Sequence, residues 1–263
     1  MDFQVLVSTM NQDNNSDILE KMNIQSDAIV INQSNRFESR QLFSNGYLIN
    51  FMTFEEKGVG LSRNSALMRA TADICLFGDD DVIYKDNYRE IVIKEFIKNP
   101  KADVMIFNLL SNHPTKKTAQ VRKNKRLHFY NCFRYGAPQI AIRLNSIRKN
   151  NIYFSLLFGG GAKYSAGEDS LFLADCLKYR LRIYSSKETI GTISFDKSTW
   201  FNGYTDKYFI DKGILFYTLS KVIAKPLCFQ FCLRHRKLFS EEKTWREAYK
   251  LMCKGIEVFK INR

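Results

Sequence analysis

Histidine and proline are scarce in this 263-residue sequence, which contains three of the first and four of the second. Three histidines give a nitrogen-rich metal centre little to build on. The six cysteines (Cys75, Cys132, Cys176, Cys228, Cys232 and Cys253) include no Cys-x-x-Cys pair, which argues against a zinc ribbon. They fall mostly in apolar runs and are expected as buried, reduced thiols. The prolines and the 13 glycines are thinly spread, so no collagen-like or low-complexity segment interrupts the chain, and no internal repeat is visible. No stretch approaches the roughly 18 consecutive apolar residues of a membrane-spanning helix. The opening MDFQVLVS enters a strand-like run without the basic and apolar regions of a secretion signal, so a cytoplasmic protein is expected.

Hydrophobic residues make up 45% of the sequence and aromatic ones 14%, enough to exclude a disordered chain and to support a real core. The length suits one large α/β domain with a small C-terminal addition. Forty lysines and arginines against 27 acidic residues give a formal net charge of +13, which implies an acidic partner. Nucleic acid, anionic lipid and phosphorylated small molecules all meet that requirement.

The first third alternates short β-rich runs with helical patterns. FQVLVS (3–8), DAIVIN (27–32), YLINFM (47–52), DICLF (73–77) and DVMIFNLL (103–110) read as strands. LSRNSALMRAT (61–71), with Ser62 as its N-cap, and NYREIVIKEFIKN (87–99) read as helices. This order predicts a mainly parallel sheet with helices on both faces. Ligands of such sheets bind beyond the carboxyl ends of the strands. The rule gathers the loops at Ser8–Asn11, Asn32–Asn35 and Asp79–Asp81 at one edge. The second half is less regular: QIAIRL (139–144) reads as a strand, a glycine-rich loop precedes a helix from Glu168 to Tyr179, and the chain beyond Phe209 is helical, aromatic and basic.

Three constellations carry chemistry. FGDDD places Asp79, Asp80 and Asp81 at a strand end, either as a solvated turn or as oxygen ligands for a hard divalent cation. Arg63 and Asn64 fall in the first turn of a predicted helix, where the dipole disfavours a cation. Arg63 therefore meets an anion there, or lies on the surface in solvent. SAGEDSLF starts a helix with Glu168 and Asp169, either as capping residues or as a general base beside a flexible Gly159–Gly161 loop. A base in that position is expected to keep an ordinary, low pKa.

The order of these features resembles glycosyltransferase family 2. The likeness runs through an N-terminal strand, GLSRNSALMRATADICLFGDDD and then a GED helix start, over roughly residues 1–200. The resemblance implies an α/β GT-A fold, Rossmann-like with a mainly parallel sheet. It also implies a nucleotide-diphosphate-sugar donor, a UDP-sugar first, and Mn²⁺ or Mg²⁺ as cofactor. Asp81 would sit on the metal and Asp79 near ribose or metal, with Asp169 as catalytic base and Arg63 near the donor. Ser8, Thr9, Asn32, Gln33, Ser34, Asn64 and Asp80 would line the donor site; Gly160, Gly161, Glu168 and Trp200 would line the acceptor site. The Gln-x-x-Arg-Trp motif of processive synthases is absent after Asp169, so transfer of a single hexosyl or N-acetylhexosaminyl unit is expected. The family's late histidine is also missing, and IGTISFDKSTWF (190–201) offers Ser194, Asp196 or a water in its place. The segment as a whole resembles enzymes of bacterial capsule and surface-glycan machinery.

These features divide the chain into a catalytic domain (1–205) and a helical, basic extension (206–263). The donor half of the catalytic domain is about 1–110 and the acceptor half about 111–205. YFIDKGILFYTLSKVIAKPLCFQFCLRHRKLF (208–239) mixes aliphatic and aromatic residues with lysine and arginine. It reads as an interfacial helix pair on the anionic inner face of a membrane or as helices packed on the catalytic domain. The first reading makes a lipid-diphosphate-linked glycan the natural acceptor. Two other functions compete: an inactive transferase-like scaffold that binds glycan, and a nucleic-acid-binding protein carried by the basic, aromatic segment 116–136. Nucleic acid is not the expected partner, because it leaves the three aspartates unexplained.

Overall fold

The computed structural model describes residues 1–13, 15–113, 117–194 and 203–261. In chain order the elements are β1 (Phe3–Met10), α1 (Asn15–Lys21), β2 (Asp27–Gln33), β3 (Glu38–Ser44), β4 (Tyr47–Phe54), α2 (Val59–Arg69), β5 (Ile74–Asp79) and β6 (Val82–Tyr84). They continue with α3 (Tyr88–Lys98), β7 (Val104–Ser111), β8 (Lys125–Leu127), β9 (Ile140–Arg143), α4 (Leu144–Lys149), α5 (Glu168–Lys178) and β10 (Ile183–Ile193). Three helices complete the described chain: α6 (Asp206–Leu219), α7 (Ala224–His235) and α8 (Trp245–Ile261).

The strands form one sheet in the order β3-β4-β2-β1-β5-β9-β7-β10-β6, with β8 paired to β10 off that path. β4, β2, β1 and β5 are mutually parallel, as are β7 and β10. β9 runs antiparallel between β5 and β7, and β3 and β6 close the edges antiparallel. The expected α/β fold, a mostly parallel sheet flanked by helices with a helical C-terminal region, is what the chain adopts.

Central β1 is buried along its length except at Met10, as a strand covered on both faces should be. Its side chains alternate between two cores, Leu6 going to one and Val5 and Val7 to the other. Ala66 and Leu67 of α2 and Phe172 of α5 fill the first core; Met22 and the α3 residues Tyr88, Val92 and Phe96 fill the second. β3 was not visible in the sequence: its ESRQLFS is largely polar and mostly exposed, as suits a strand guarding a sheet edge. The basic segment 116–136 is partly core, with Val121, Leu127, Cys132 and Tyr135 buried in the first cluster.

The N-terminus of α2 corrects one expectation. The helix begins at Val59, not beyond Ser62, and Gly58 is its N-cap without a side-chain cap bond. Tertiary partners replace the cap: the Val59 N–H donates to the Gly160 carbonyl (2.9 Å), and Gln33 clamps both the N–H and the carbonyl of Gly58. Arg63 thus stands in the second turn, not the first.

Helices α6, α7 and α8 enclose their own cluster around Phe209, Cys228, Cys232, Phe239, Met252 and Ile256. A further cluster, Phe158, Tyr164, Leu171, Ile214, Leu215 and Phe259, fastens α6 to α5 and to the loop before it. α6 and α8 meet at glycines: a Cβ on Gly213 would strike the Met252 carbonyl, and one on Gly255 the Ile210 carbonyl. Five of the six cysteines are buried free thiols, and Cys253 is half-buried. No described helix is long and apolar enough to cross a membrane.

Candidate functional site

The site is organised around Arg63. Its position on α2 aims the side chain across the carboxyl end of the sheet, where it is almost fully buried. One terminal nitrogen donates to Glu168 Oε1 (2.9 Å) and Asp169 Oδ1 (2.8 Å), and the other donates to both oxygens of Asp79 (3.0 Å each). The guanidinium lies over the Phe154 ring at 5.3 Å. Phe154 stacks on Phe172 with centroids 4.3 Å apart and meets Phe77 edge-on at 5.0 Å. This aromatic floor lowers the local dielectric and strengthens each charge interaction above it. The three carboxylates hold the Arg63 guanidinium protonated, against the opposing effect of burial. The anion expected to meet Arg63 is therefore supplied, in this structure, by the protein's own carboxylates.

Asp79, Asp80 and Asp81 do not converge on one point. Asp79 belongs to Arg63. Asp80 Oδ2 accepts the Thr9 hydroxyl at 2.6 Å, and its carbonyl accepts Lys21 Nζ at 2.7 Å. Asp81 Oδ1 is buried and has no hydrogen-bond partner. Burial, then the neighbouring Asp79 and Asp80 carboxylates, push the Asp81 carboxyl up to about 7. The backbone N–H of Ser194 donates to the Asp81 carbonyl at 2.9 Å, which places the end of β10 against the triplet.

Asp169 stands in the first turn of α5 and keeps 23% of its side chain exposed towards solvent. Burial and the adjacent Glu168 raise its pKa above the ordinary carboxylate value, while Arg63 and the Ala137 N–H oppose them. The expectation of an ordinary, low pKa for this group is corrected by its burial. Glu168 is more enclosed; its other oxygen accepts the Gly167 N–H at 3.1 Å, so both of its oxygens have protein donors.

The loops beyond β1 and β2 do meet at this edge. Thr9 Oγ1 accepts Gln12 Nε2 (3.0 Å), the Gln12 N–H donates to Asn32 Oδ1 (3.0 Å), and Ser8 Oγ accepts the Ser62 hydroxyl (3.0 Å). Several residues expected at a donor hold backbone in this structure. Asn32 grips both backbone groups of Gln12, and Gln33 grips Gly58. Asn64 donates to the Phe154 carbonyl (2.9 Å) and accepts its N–H (2.8 Å). A buried amide side chain must find both a donor and an acceptor, and an exposed backbone segment offers both. Ser34 stays half-buried, its N–H on the Phe54 carbonyl.

The sequence profile of Glycosyl transferase family 2 matches residues 26–158. The chain belongs to that family. No curated protein matches the sequence, but solved structures share its fold. S. aureus TarS 1-349 in complex with UDP-GlcNAc superposes with a TM-score of 0.62 at 16% identity, over 92% of this chain and 74% of that one. The same TarS fragment in complex with UDP gives 0.59 at 16% identity, over 90% and 72%. The fragment alone gives 0.60 at 14% identity, over 100% of this chain and 92% of that one.

A divalent cation, as the family resemblance implies, is consistent with the oxygens present. An unpartnered, buried carboxylate oxygen on Asp81 beside two further carboxylates is a donor for a hard cation. Among the described residues no three His, Cys, Asp or Glu side chains converge as a metal-binding group. Asp196 and Trp200 lie outside the described residues.

The glycine loop is pinned rather than free. Gly160 caps α2, the Gly159 N–H bonds to the Tyr164 carbonyl, and Gly159 has a φ of +107 with Glu168 against its Cα. Gly161, at φ +79, packs on Gly58. This contact corrects the expectation of a flexible flap. Sequence reasoning missed Gln12, Lys21 and Phe154. Phe154 stands 14 residues before Glu168, and nothing local in the sequence marks it.

Proposed function

We propose that this family 2 glycosyltransferase moves a single hexosyl or N-acetylhexosaminyl unit from a UDP-sugar to an acceptor hydroxyl, inverting the anomeric centre. The acceptor we assign is a glycan or lipid-diphosphate-linked glycan of surface-polysaccharide assembly, reached from the cytoplasmic side. The observation that carries the reading is the Arg63 bridge, which ties the strand end bearing Asp79–Asp81 to the helix start bearing Asp169. The TarS fragments in complex with UDP-GlcNAc and with UDP support the choice of donor.

In this mechanism Asp169 accepts the proton of the acceptor hydroxyl as that oxygen bonds to the anomeric carbon. The bond from that carbon to the diphosphate oxygen breaks, and its electron pair leaves with the nucleoside diphosphate. The raised proton affinity of Asp169 suits a base operating near neutral pH. Asp81 and Asp79 would hold Mn²⁺ or Mg²⁺, which supplies Lewis-acid neutralisation of the departing diphosphate. Arg63 fixes Asp169 and Asp79 relative to each other, and Thr9 fixes Asp80. The loops carrying Ser8, Thr9, Asn32, Gln33 and Ser34 shape the nucleoside end. Glu168 and the pinned Gly160 and Gly161 form the wall on the acceptor side.

Calorimetric titration of UDP with and without Mn²⁺, beside Asp81→Ala, tests the reading. Metal-dependent binding that the variant loses is the expected result. Absence of binding for UDP, and then for GDP and thymidine diphosphate, refutes the donor class.

A further inference from the structure

The reading above gives no role to the outer face of α7. From Lys212 to Ser240 the chain holds no aspartate or glutamate, while it carries six lysines and arginines. Ala224, Cys228 and Cys232, spaced four apart, turn one face of α7 into the C-terminal core. On the opposite side Phe229 (44% exposed) and Leu233 (37%) stand one turn apart, and Val222 (89%) and Leu238 (59%) extend the apolar row beyond either end of the helix. Lys225, Arg234, Arg236 and Lys237 are all exposed around this row. Phe229 also meets Trp245 (6.0 Å) and Tyr249 (5.8 Å) edge-on, so the row borders a half-buried aromatic pair on α8.

Beyond the Phe229 contacts, this apolar row rimmed by cations is left to solvent, on a helix whose other face is already packed. We propose that this face of α7 docks on an anionic lipid surface. The apolar residues enter the headgroup boundary, Lys225, Arg234, Arg236 and Lys237 meet lipid phosphates, and Trp245 and Tyr249 sit at the interface depth such rings favour. Charge complementarity selects the lipid: the rim of the row carries one sign, and Glu241 and Glu242 begin only after it ends. Docking there also positions the site. Leu215 of α6 packs on Gly167, and Asp211 of α6 accepts the N–H and hydroxyl of Ser165, two contacts at the start of the helix that carries Asp169. Vesicle binding involves no sugar transfer, so this inference stands or falls apart from the transferase reading.

The experiment sediments the full chain with phosphatidylcholine vesicles, with and without phosphatidylglycerol. Two variants accompany it: Lys225→Glu/Arg234→Glu, and Val222→Asn/Leu233→Asn, with unfolding curves run on both. Each cation near an anionic leaflet is worth roughly fivefold in affinity, so removing two should weaken binding about 25-fold, and reversing them more. The expected result is binding that requires phosphatidylglycerol, weakens with salt, and falls in both variants while their unfolding midpoints hold. Equal binding to neutral vesicles, binding unchanged in either variant, or no binding at all overturns it. A dimer that Val222→Asn/Leu233→Asn dissociates, without vesicle binding, would reassign the face to a second copy of the chain.

Discussion

Arg63→Met separates a structural keystone from a surface arginine. Methionine keeps the stem that packs against the core but removes the charge that joins Asp79, Glu168 and Asp169. Breaking a buried ion pair by deleting one partner costs about 3–5 kcal/mol, because the remaining charge stays in the protein without compensation. Here three carboxylates remain, but Asp79 and Asp169 keep 30% and 23% of their side chains in water. That relief puts the expected loss near the lower bound, about 3 kcal/mol, with up to about 1 kcal/mol more for the lost contact with Phe154. The loss depends on pH. Without Arg63 the folded Asp169 carboxyl, already raised by burial, binds its proton more tightly than in the unfolded chain, so the variant's stability falls as pH rises from about 4 through that raised folded value. Urea unfolding of parent and variant at about pH 5 and pH 8 should show a smaller gap at the lower pH. Arg63→Lys should fall between them, since one ammonium cannot reach three carboxylates as a planar fork does. A variant within about 0.5 kcal/mol of the parent at both pH values would show that the network carries no stability, and the reasoning would fail.

Asp81→Asn should stabilise the metal-free chain. Its carboxyl stands at about 7 when folded against an ordinary 3.8, so ionisation costs stability as pH climbs through that window. The substitution should gain about 2 kcal/mol at pH 8, half the full value because the group is partly hydrated, and nothing near pH 4; urea midpoints check this. Asp169→Asn should abolish turnover while calorimetry still detects UDP, whereas a glycan-binding scaffold would lose nothing measurable by any turnover assay. Gly213→Ala should lower the thermal midpoint, because its Cβ would meet the Met252 backbone carbonyl, which has no rotamer by which to yield. About 1–3 kcal/mol is expected, and an unchanged midpoint would mean that α6 and α8 separate freely.

The central strands were legible because β1, β2 and β5 are buried on both faces and read as continuous apolar runs. The edge strand β3 was not, since a strand that faces water on its outer side need carry no apolar pattern. The same distinction runs through the site. Charged residues stood out, and the structure does bring Arg63, Asp79, Glu168 and Asp169 together. The amides of Asn32, Gln33 and Asn64 were visible as polar residues at strand ends or in a helix start, but nothing local reveals that their partners are Gln12, Gly58 and Phe154. Asn64 and Phe154 are 90 positions apart in sequence. Local patterns report which residues avoid water; they are silent about which distant backbone a buried amide will clamp.

Three adjacent aspartates in a chain of net charge +13 pose a problem of repulsion, which the fold resolves by division of labour. Arg63 compensates Asp79 from one side, and Thr9 with Lys21 anchors Asp80 from the other. Only Asp81 is left with a buried oxygen and no donor. Had all three been compensated, no buried oxygen of the turn would be left without a donor. Had none been, the turn would carry three uncompensated charges, and burial would raise the proton affinity of each. Tying down two and leaving one confines the electrostatic cost to a single group, at the place where a ligand can remove it. Burial and its two acidic neighbours raise the proton affinity of Asp81, and the same arginine that secures Asp79 also holds Asp169.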